Sequence, residues 1–324
     1  MQPRQVWEGK NVKSRLVRIA LTPLSWLYAF GWQAYLGIYA LGIKRAAESH
    51  RPVICVGNLV TGGSGKSPLT LYLAELLRDM GHFVVIGCSG YGAPHAKAAS
   101  IAPEGPLAAS EWGDEPSMFR WLLPDTPLVV GRRRVLAAEL VHQSFPNAVL
   151  LMDDGFQHLP LKKQLSIVLD DANPINAHCL PAGPYREPRS NRSRADLVLP
   201  DRFSVCRNPI RLVSPDGQTQ TPMNYSVLCA LGQPQRFLDE LNSAYPSGDP
   251  LGIRTLLPDH DPLTGGTLLE RFPKELPIVV TAKDWVKLRN RKDLGQRQFL
   301  IALQQVRVEP EVEFKAWLGQ RLDE

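Results

Sequence analysis

Short, continuously apolar runs alternate with longer amphipathic segments over most of the chain. Five runs with the length of buried strands lie at 53–57, 83–88, 127–131, 148–152 and 165–170. Leucines recur at three- and four-residue steps in 65–80, and this spacing predicts a helix there; a second helix is predicted at 134–144. Apolar strands that alternate with helices form a mostly parallel sheet covered on both faces. We therefore predict an α/β fold with flanking helices.

The second half of the chain repeats this pattern after an interruption. Residues 173–222 are rich in Pro, Arg and Asn and show little periodicity, which indicates loops and short elements. Apolar runs then return at 224–232, 276–282 and 299–310, with a predicted helix at 235–245. We predict a smaller second α/β lobe that faces the first across a cleft. The predicted divisions are an N-terminal segment at 1–48, a core at 49–222 and a C-terminal lobe at 223–324.

The segment 21–43 contains no charged residue and is preceded and followed by basic residues. A helix of this length reaches about 30 Å, enough to cross a bilayer. Its many Trp and Tyr side chains prefer the headgroup region, and basic flanks suit an anionic leaflet. Three arrangements stay open: an interfacial or shallowly inserted anchor, a membrane-spanning helix, and a helix packed on the protein itself. The pattern favours the first, a membrane-associating helix.

The amino-acid composition excludes several classes of protein function. Of 324 residues, 44% are apolar and 21% are charged, which is typical of a globular chain with a large core. The net charge of +5 suits an anionic partner, but the basic residues lack an interleaved aromatic stacking surface outside 21–43, so we predict no nucleic-acid role. The five cysteines form no C-x-x-C pair, which favours buried thiols over a cysteine metal site. No obligate protein partner is evident.

A glycine-rich stretch, VGNLVTGGSGKSP at 56–68, follows the first predicted strand and precedes a helix. The strict phosphate-loop pattern G-x-x-x-x-G-K-[ST] requires glycine at position 60, where this chain has Val60. The stretch still supplies backbone N–H groups, a lysine for the terminal phosphates and a hydroxyl for Mg²⁺. We predict a nucleotide site rather than a plain glycine-rich turn. Its residues are Gly62, Gly63, Ser64, Gly65, Lys66 and Ser67.

Acidic and basic residues elsewhere are candidates for the chemistry. Asp153 and Asp154 end a predicted strand, where a phosphate-loop enzyme places its metal-binding carboxylate; a turn cap is the alternative. Asp114, in the motif GDEP, is either a helix cap or a functional acid, and His260, between two aspartates, is either structural or functional. The arginine-rich stretch 180–194, which contains Glu187, is either a phosphate clamp or a solvated basic loop.

Taken in order, these motifs resemble the tetraacyldisaccharide 4'-kinase family over nearly the whole chain. The matching stretches are PLSWLY (23–28), VGNLVTGGSGKSP, GYG (90–92), GDEP (113–116), DDGFQH (153–158), LPAGPYRE (180–187), DH (259–260) and KDWVK (283–287). The resemblance implies ATP-dependent phosphorylation of the 4'-hydroxyl of a tetraacyl glucosamine disaccharide 1-phosphate in lipid A biosynthesis. It also implies the cytoplasmic face of the inner membrane of a Gram-negative bacterium, with attachment through 21–43 to an anionic surface.

The resemblance also implies residue roles. Lys66 and Ser67 would hold the ATP phosphates and Mg²⁺, and Asp153, Asp154 and Glu187 would help to bind the metal. Asp114 would accept the proton of the sugar hydroxyl, assisted by His260. Tyr91 and Arg186 would contact the substrate. The chain departs from the family at Ser89, where an arginine is usual, at Ala282, where a glutamate is usual, and at Pro200, where an asparagine is often found.

Two rival functions remain. A phosphate-loop GTPase switch or metallochaperone would read guanine through Thr281, Lys283 and Asp284, which match an N/T-K-x-D pattern. A degenerate family member would bind lipid without transferring phosphate. The long aromatic N-terminal segment and the GPYRE stretch argue against the GTPase.

Overall fold

Helices and strands alternate along the chain in the computed structural model, which describes residues 3–63, 65–246 and 252–323. The helices are α1 (Pro3–Glu8), α2 (Val12–Ala40), α3 (Lys66–Asp79), α4 (Ala109–Trp112), α5 (Asp114–Leu122), α6 (Arg134–Ser144), α7 (Pro234–Ala244), α8 (Ala282–Leu288) and α9 (Glu311–Asp323). Short 3₁₀ turns lie at Pro94–Ala96, Arg189–Arg194 and Leu269–Arg271.

A seven-stranded sheet forms the centre of the first lobe. Its strands are β1 (Val53–Asn58), β2 (Phe83–Cys88), β3 (Ser100–Ile101), β4 (Leu128–Val130), β5 (Ala148–Asp153), β6 (Leu165–Leu169) and β7 (Leu197–Leu199). They lie in the order β3-β4-β2-β5-β1-β6-β7, and only the edge strand β3 runs antiparallel to its neighbour. The predicted mostly parallel α/β sheet is thus confirmed.

A second sheet of six strands and a two-stranded ribbon lie beyond it. The remaining strands are β8 (Ser204–Arg207), β9 (Arg211–Val213), β10 (Thr219–Gln220), β11 (Ser226–Ala230), β12 (Arg254–Leu257), β13 (Ile278–Thr281), β14 (Phe299–Leu303) and β15 (Val306–Glu309). The sheet has the order β10-β9-β14-β13-β11-β12, while β8 pairs with β15 in the ribbon. The domain boundary at 222 stays a prediction, although β9 and β10, which precede it, belong to this second sheet.

The run 299–310, treated as one segment in the sequence, forms two strands of different sheets. Gln304 and Gln305 separate β14 from β15. After the ribbon, α9 returns to the first lobe, where Phe314 stacks on Tyr72 of α3 with ring centroids 6.3 Å apart. The C-terminal helix therefore packs on the phosphate-loop lobe rather than on the second sheet.

The core of the first lobe follows the predicted periodicity of α3. Leu69, Leu73, Leu76 and Leu77 are buried, together with the apolar side chains of β1 and β5. Since β1 and β5 are parallel neighbours with Val56 opposite Asp153, the loops after both strands emerge at one edge. Ligands of open α/β sheets bind at that edge.

The N-terminal helix α2 packs along the first lobe through one narrow face. Ser25 is buried and Ala29 packs against the cluster formed by Leu59, Phe156 and Tyr185. The outer face of α2 is apolar and open: Val12, Leu16, Ile19, Trp26, Leu27 and Phe30 are between 62% and 72% exposed. Among the residues that the structure describes, no helix is both long and apolar enough to traverse a bilayer. The spanning alternative for 21–43 is therefore wrong.

Candidate functional site

The glycine-rich loop connects β1 to α3 with the backbone turns that a phosphate cradle requires. Gly62 and Gly65 have φ values of 95° and 87°, which side-chain-bearing residues rarely adopt. A Cβ atom at Gly62 or Gly63 would have no neighbour within 4 Å, so the inner side of the loop is open. Ser64 lies outside the described residues. The backbone here has the room and the conformation to approach a phosphate group closely.

Val60 replaces glycine in the strict pattern because it occupies a strand-like position. It forms an isolated antiparallel bridge with Tyr185, and the Thr61 backbone N–H donates to the carbonyl of Pro184 over 2.9 Å. The Arg186 N–H in turn donates to the carbonyl of Leu59 over 2.7 Å. The front of the phosphate loop is therefore paired with residues 178–194, which we call the arginine loop.

The predicted acidic pair lies directly beside the phosphate loop. Asp153 accepts hydrogen bonds from Ser67 Oγ and Thr70 Oγ1, both over 3.1 Å. Lys66 Nζ donates to Asn58 Oδ1 over 3.2 Å and lies 3.8 Å from Asp154 Oδ1. The structure thus brings Lys66, Ser67, Asp153 and Asp154 together, as predicted.

The two aspartates differ in charge state. Burial, the largest cause, and the charge of Glu115 together raise the pKa of Asp153 to about 7, although Lys66 opposes the rise. Burial also acts to raise the pKa of Asp154, but Lys66 and Arg186 outweigh it and hold that pKa below its usual value. The raised pKa of Asp153 means that Lys66 does not fully offset the cost of burying its negative charge. Two carboxylates and a hydroxyl, all hard oxygen donors, are a donor set suited to Mg²⁺.

A buried arginine fixes the turn that carries these acids. Arg134 Nη2 donates to the carbonyls of Asp153 over 2.7 Å and of Asp154 over 3.0 Å. Asp154 has a φ of 54°, an uncommon value for a residue other than glycine. Arg134 was part of a basic run in the sequence, and nothing in the pattern distinguished it from its exposed neighbours Arg132 and Arg133.

Asp114 and His260, from different lobes, meet at the same edge. His260 Nδ1 lies 3.2 Å from Asp114 Oδ2, and His260 has a φ of 63°. Burial alone would raise the pKa of Asp114, but the hydrogen bond with His260 and the charges of Lys287 and Lys283 keep it below its usual value. The same bond raises the pKa of His260. Backbone strain of this kind concentrates at functional sites.

Two lysines to which the kinase resemblance assigned no role complete this cluster. Lys283 Nζ lies 3.4 Å from Glu115 Oε1, and Lys287 Nζ lies 3.9 Å from Asp114 Oδ2. Both lysines belong to α8, so α8 and α5 join the lobes through opposite charges. A Cβ atom at Gly232 would lie 3.1 Å from Asp259, the neighbour of His260, and 3.8 Å from the Cα atom of Gly62, so this cluster adjoins the phosphate loop.

The residues of the guanine-reading pattern have other tasks. The Thr281 side chain caps α8 by accepting from the Asp284 N–H. Asp284 is fully buried, accepts from the Ala230 N–H over 3.1 Å and forms an ion pair with Lys287. A carboxylate held in this way is not available to a nucleotide base, which argues against the GTPase reading.

Tyr91 lies at the open side of the cleft. Its ring is 74% exposed and its centroid lies 6.3 Å from that of His260. The guanidinium of Arg132 lies 5.9 Å from the centroid of the Tyr91 ring. An exposed arginine therefore lies beside Tyr91, two residues after Ser89 in the sequence.

The arginine loop does not offer a set of free cations. Each of its four arginines is paired with a carboxylate: Arg186 with Asp154, Arg189 and Arg192 with Asp170, and Arg194 with Glu187. The sequence left open either a phosphate clamp or a solvated basic loop, and these ion pairs favour neither alternative. Arg186 nevertheless reaches the predicted site, because its Nη1 donates to both oxygens of Asp154 over 3.0 Å.

Glu187, predicted as a metal ligand, is instead surrounded by protein donors. It is fully buried, and its oxygens accept from Gln157 over 3.0 Å, Asn191 over 2.9 Å and Arg194 over 2.5 Å. Both oxygens are occupied, so the geometry does not support metal binding by this residue. Among the described residues, no group of three or more His, Cys, Asp or Glu side chains is arranged to hold a metal by itself.

Arg207, from the ribbon, approaches the phosphate loop unpredicted. Its Nη2 lies 2.9 Å from where a Cβ atom of Gly65 would be. Its Nη1 lies 3.5 Å from Glu240 and 3.3 Å from Gln304 Oε1. No sequence signal links β8 to the loop, because the contact depends on how the lobes pack.

A central parallel strand that leads into a phosphate loop, with an acidic strand end beside it, defines a P-loop phosphotransferase. The chain belongs to one such family: the model of the Tetraacyldisaccharide-1-P 4'-kinase family, LpxK, matches residues 17–323. The predicted family resemblance is thereby confirmed.

Curated relatives and a solved structure agree with that assignment. The tetraacyldisaccharide 4'-kinase of Shewanella sediminis is 32% identical over 296 residues, which cover 87% of this chain and 86% of that protein. That of Shewanella piezotolerans is 32% identical over 301 residues, covering 88% and 89%. The crystal structure of LpxK from Aquifex aeolicus in complex with ATP superposes with a TM-score of 0.78 at 27% identity, covering 94% of this chain and 99% of that one.

Proposed function

We propose that this chain transfers the γ-phosphoryl group of ATP to the 4'-hydroxyl of a tetraacyl glucosamine disaccharide 1-phosphate, a step of lipid A biosynthesis. The observation that carries the proposal is the contact between Asp114 and His260, 3.2 Å apart, at the edge where the phosphate loop lies. The hydroxyl oxygen forms the new bond to phosphorus, ADP leaves, and the hydroxyl proton passes to the base.

The phosphate loop would hold ATP. Backbone N–H groups of 62–67 would surround the phosphates, and Lys66 would neutralise the negative charge that develops on the transferred group. Ser67, Asp153 and Asp154 would hold Mg²⁺, which when bound supplies positive charge to the phosphate oxygens. Arg186 keeps Asp154 oriented, and the Asn58 amide does the same for the Lys66 ammonium group.

Asp114 would be the general base. Its lowered pKa keeps it ionised at neutral pH, and the hydrogen bond from His260 fixes the carboxylate in the cleft. His260 would carry positive charge at and below its raised pKa and so stabilise the ionised base. Tyr91, exposed beside His260, would contact the sugar, and Arg132 would meet an anionic group of the same substrate.

The outer face of α2 would rest on an anionic membrane surface. Six large apolar side chains are open there, and Lys13, Arg15 and Arg18 lie on the same helix. An amphipathic helix with basic residues binds in the interfacial plane and is attracted by anionic lipids. We propose the cytoplasmic face of the inner membrane of a Gram-negative bacterium as the location, because ATP and the acylated acceptor are both available there.

The deciding experiment compares the wild type with Asp114→Asn, which keeps the shape of the side chain and removes the base. Each protein is incubated in detergent with γ-labelled ATP, Mg²⁺ and the tetraacyl disaccharide 1-phosphate, and label in the lipid is counted. Transfer by the wild type that is lost in the variant supports the proposal. Transfer that survives in the variant would remove Asp114 from the mechanism, and no transfer despite ATP binding would favour a degenerate, lipid-binding member.

A further inference from the structure

A line of hydrogen bonds leads from the N-terminal helix to the lysine of the phosphate loop, through side chains and, at Asn58, through the backbone carbonyl as well. Gln33 of α2 donates to Asn191 Oδ1 over 2.9 Å, and Asn191 donates to Glu187 over 2.9 Å. Gln157 Nε2 lies within hydrogen-bond distance of both Glu187 Oε1, at 3.0 Å, and the Asn58 carbonyl, at 2.8 Å. The Asn58 side chain receives Lys66. The path therefore joins α2, whose outer face is apolar and exposed, to Lys66, which would contact ATP.

The middle of this path is buried, which makes it sensitive to its ends. Glu187 and Asn58 are 0% exposed, and Asn191 is 6% exposed. A buried polar group that loses a partner bears the full cost of desolvation, so the network keeps its arrangement only while each partner stays in place. If Asn191 moved, water would not replace its hydrogen bond to Glu187, because Glu187 is buried.

The backbone of the arginine loop makes a second connection along the same route. Ser25 Oγ donates to the Cys179 carbonyl over 2.5 Å, and the Tyr28 hydroxyl donates to the Arg186 carbonyl over 2.7 Å. On its other side the same loop pairs with the phosphate loop, through the Arg186 N–H and the Leu59 carbonyl. The arginine loop is thus held between α2 and the phosphate loop and contacts both within one residue.

We propose that Ser25, Tyr28 and Gln33 are positioning residues for phosphoryl transfer. Their contacts with the arginine loop, which we call the α2 seat, fix Arg186 against Asp154 and, through Glu187 and Asn58, fix Lys66. The helix that meets the lipid surface is then also part of the scaffold of the active site, and its displacement lowers catalysis. The proposal rests on the kinase function proposed above.

The test separates the α2 seat from membrane attachment. The triple variant Ser25→Ala, Tyr28→Phe, Gln33→Leu removes the three polar groups, keeps the approximate shape of the side chains and leaves the outer face of α2 intact. In detergent micelles, where no bilayer has to be bound, kcat is expected to fall about tenfold or more, because three hydrogen bonds that hold the partly buried arginine loop are lost. The KM for the lipid and the binding to vesicles of phosphatidylethanolamine and phosphatidylglycerol are expected to stay at wild-type values.

Thr22→Val is the matched control on the same helix. The Thr22 hydroxyl donates to the Arg18 carbonyl within α2, over 2.9 Å, and no hydrogen bond joins it to the arginine loop among the described contacts. Its loss of a hydroxyl group is equivalent to that of Ser25→Ala, yet kcat is expected to be unchanged. Gln33→Leu alone is expected to give an intermediate kcat, since it breaks only the side-chain path.

The outcomes decide between the two roles of the helix. Wild-type kcat in the triple variant would overturn the proposal, and so would an equal loss in Thr22→Val, which would indicate a general weakening of α2. Calorimetric binding of a non-hydrolysable ATP analogue with Mg²⁺ gives a readout that does not require transfer. If the wild type transfers no phosphate, the proposed function fails, but weaker analogue binding by the triple variant alone would still support the positioning role and equal binding would overturn it.

Discussion

At the residue scale, the site consists of charged pairs whose members come from distant parts of the chain. Asp114 and His260 are 146 positions apart in sequence and share one hydrogen bond. Each member alters the other: the pKa of the carboxyl is lowered and that of the imidazole is raised. The pH range in which the carboxylate is ionised and the imidazole is protonated is therefore wider than it would be if both groups had their usual pKa values.

Asp114→Asn is expected to reduce kcat by about 10²- to 10⁴-fold, the usual contribution of a general base. The KM for ATP is expected to change little, because the phosphate loop is untouched. Steady-state kinetics with the labelled-lipid assay measure both quantities. Asp154→Asn provides a contrast, since loss of a carboxylate beside Lys66 is expected to alter the dependence on Mg²⁺ and ATP. Equal effects of both variants on KM would contradict the assigned division of labour.

The pH dependence of the pair can be followed directly. Because the hydrogen bond to Asp114 raises the pKa of His260, the stabilisation from the ion pair is fully present below 6.5 and is lost as the pH rises through the higher folded-state value. NMR titration of the His260 ring is expected to give a pKa above 6.5, which moves back toward 6.5 in Asp114→Asn. A ring that titrates identically in both proteins would rule out the pairing in solution.

Arg134 is expected to be important for stability as well as for the site. Arg134→Met leaves the carbonyls of Asp153 and Asp154 without their buried donor and should lower the free energy of unfolding by about 3 kcal/mol. Arg133→Met, its exposed neighbour in the same run, should change it by less than about 0.5 kcal/mol. Urea unfolding followed by circular dichroism measures both, and similar losses in the two variants would show that Arg134 has no special role.

The sequence predicted the residues that gather at the site better than what each residue does there. Lys66, Ser67 and the two aspartates stand together because a strand–loop–helix motif and a parallel neighbouring strand determine their positions locally. Glu187 was predicted to bind the metal because it is a charged residue within a motif. Only the packing shows that three protein donors surround its carboxylate. Val60 shows the converse, since its departure from the strict pattern is explained by a bridge to Tyr185 that no local pattern encodes.

At the element scale, α2 separates two functions on two faces. One face carries Ser25, Tyr28 and Gln33 toward the arginine loop, and the outer face carries large apolar side chains toward the surroundings. The sequence signal, a charge-free run with many aromatics, could not distinguish these faces, because both contain apolar residues. Ser25 and Gln33, two polar residues of the run, contact the arginine loop, whereas the Thr22 hydroxyl bonds within α2 itself.

Replacing outer-face residues is expected to weaken membrane binding. Leu27 and Phe30 are 67% and 70% exposed, so Leu27→Ser with Phe30→Ser removes apolar surface without opening the core. Partitioning to vesicles that contain phosphatidylglycerol should fall at least about tenfold, since each buried side chain of this size contributes about 1.5–3 kcal/mol. Sedimentation of vesicles measures the bound fraction. Undiminished binding would show that another surface contacts the lipid.

Strands were predicted well where hydrophobic runs are isolated and poorly where they adjoin. The runs at 53–57, 83–88 and 148–152 became β1, β2 and β5 within one residue, because loops or helices bound each of them. The run 299–310 became β14 and β15. An apolar pattern indicates that residues are buried, but it does not indicate to which sheet they belong. The contacts of Arg207 were missed for the same reason.

At the scale of the whole molecule, the second lobe contributes to the site mainly through His260 and the lysines of α8, and the ribbon contributes Arg207. Arg207 reaches the phosphate loop from β8, while Arg236 lies behind it and shares Glu240. A guanidinium at a phosphate loop forms strong, charge-assisted hydrogen bonds to phosphate oxygens. Nucleotide binding should therefore depend on the ribbon as well as on the first lobe and, through the Arg207–Glu240 ion pair, on the second lobe.

Arg207→Ala is expected to raise the dissociation constant for ATP about tenfold, as the loss of one charge-assisted contact would. Arg236→Ala is the control, because this arginine pairs with the same glutamate but its side chain is 47% exposed. Calorimetry with ATP and Mg²⁺ measures both variants. Equal affinities of the two would mean that Arg207 only balances the charge of Glu240.

The ribbon of β8 and β15 has a mechanical consequence. The chain leaves the first lobe through β8 and returns through β15, and the two strands pair from Ser204 with Glu309 to Arg207 with Val306. Two connections that are hydrogen-bonded to each other act as a single hinge, which bends readily about one axis and resists twisting. The second lobe should then rotate relative to the first lobe about the axis of this ribbon. A rotation of this kind would part His260 from Asp114, whose nearest side-chain atoms are 3.2 Å apart.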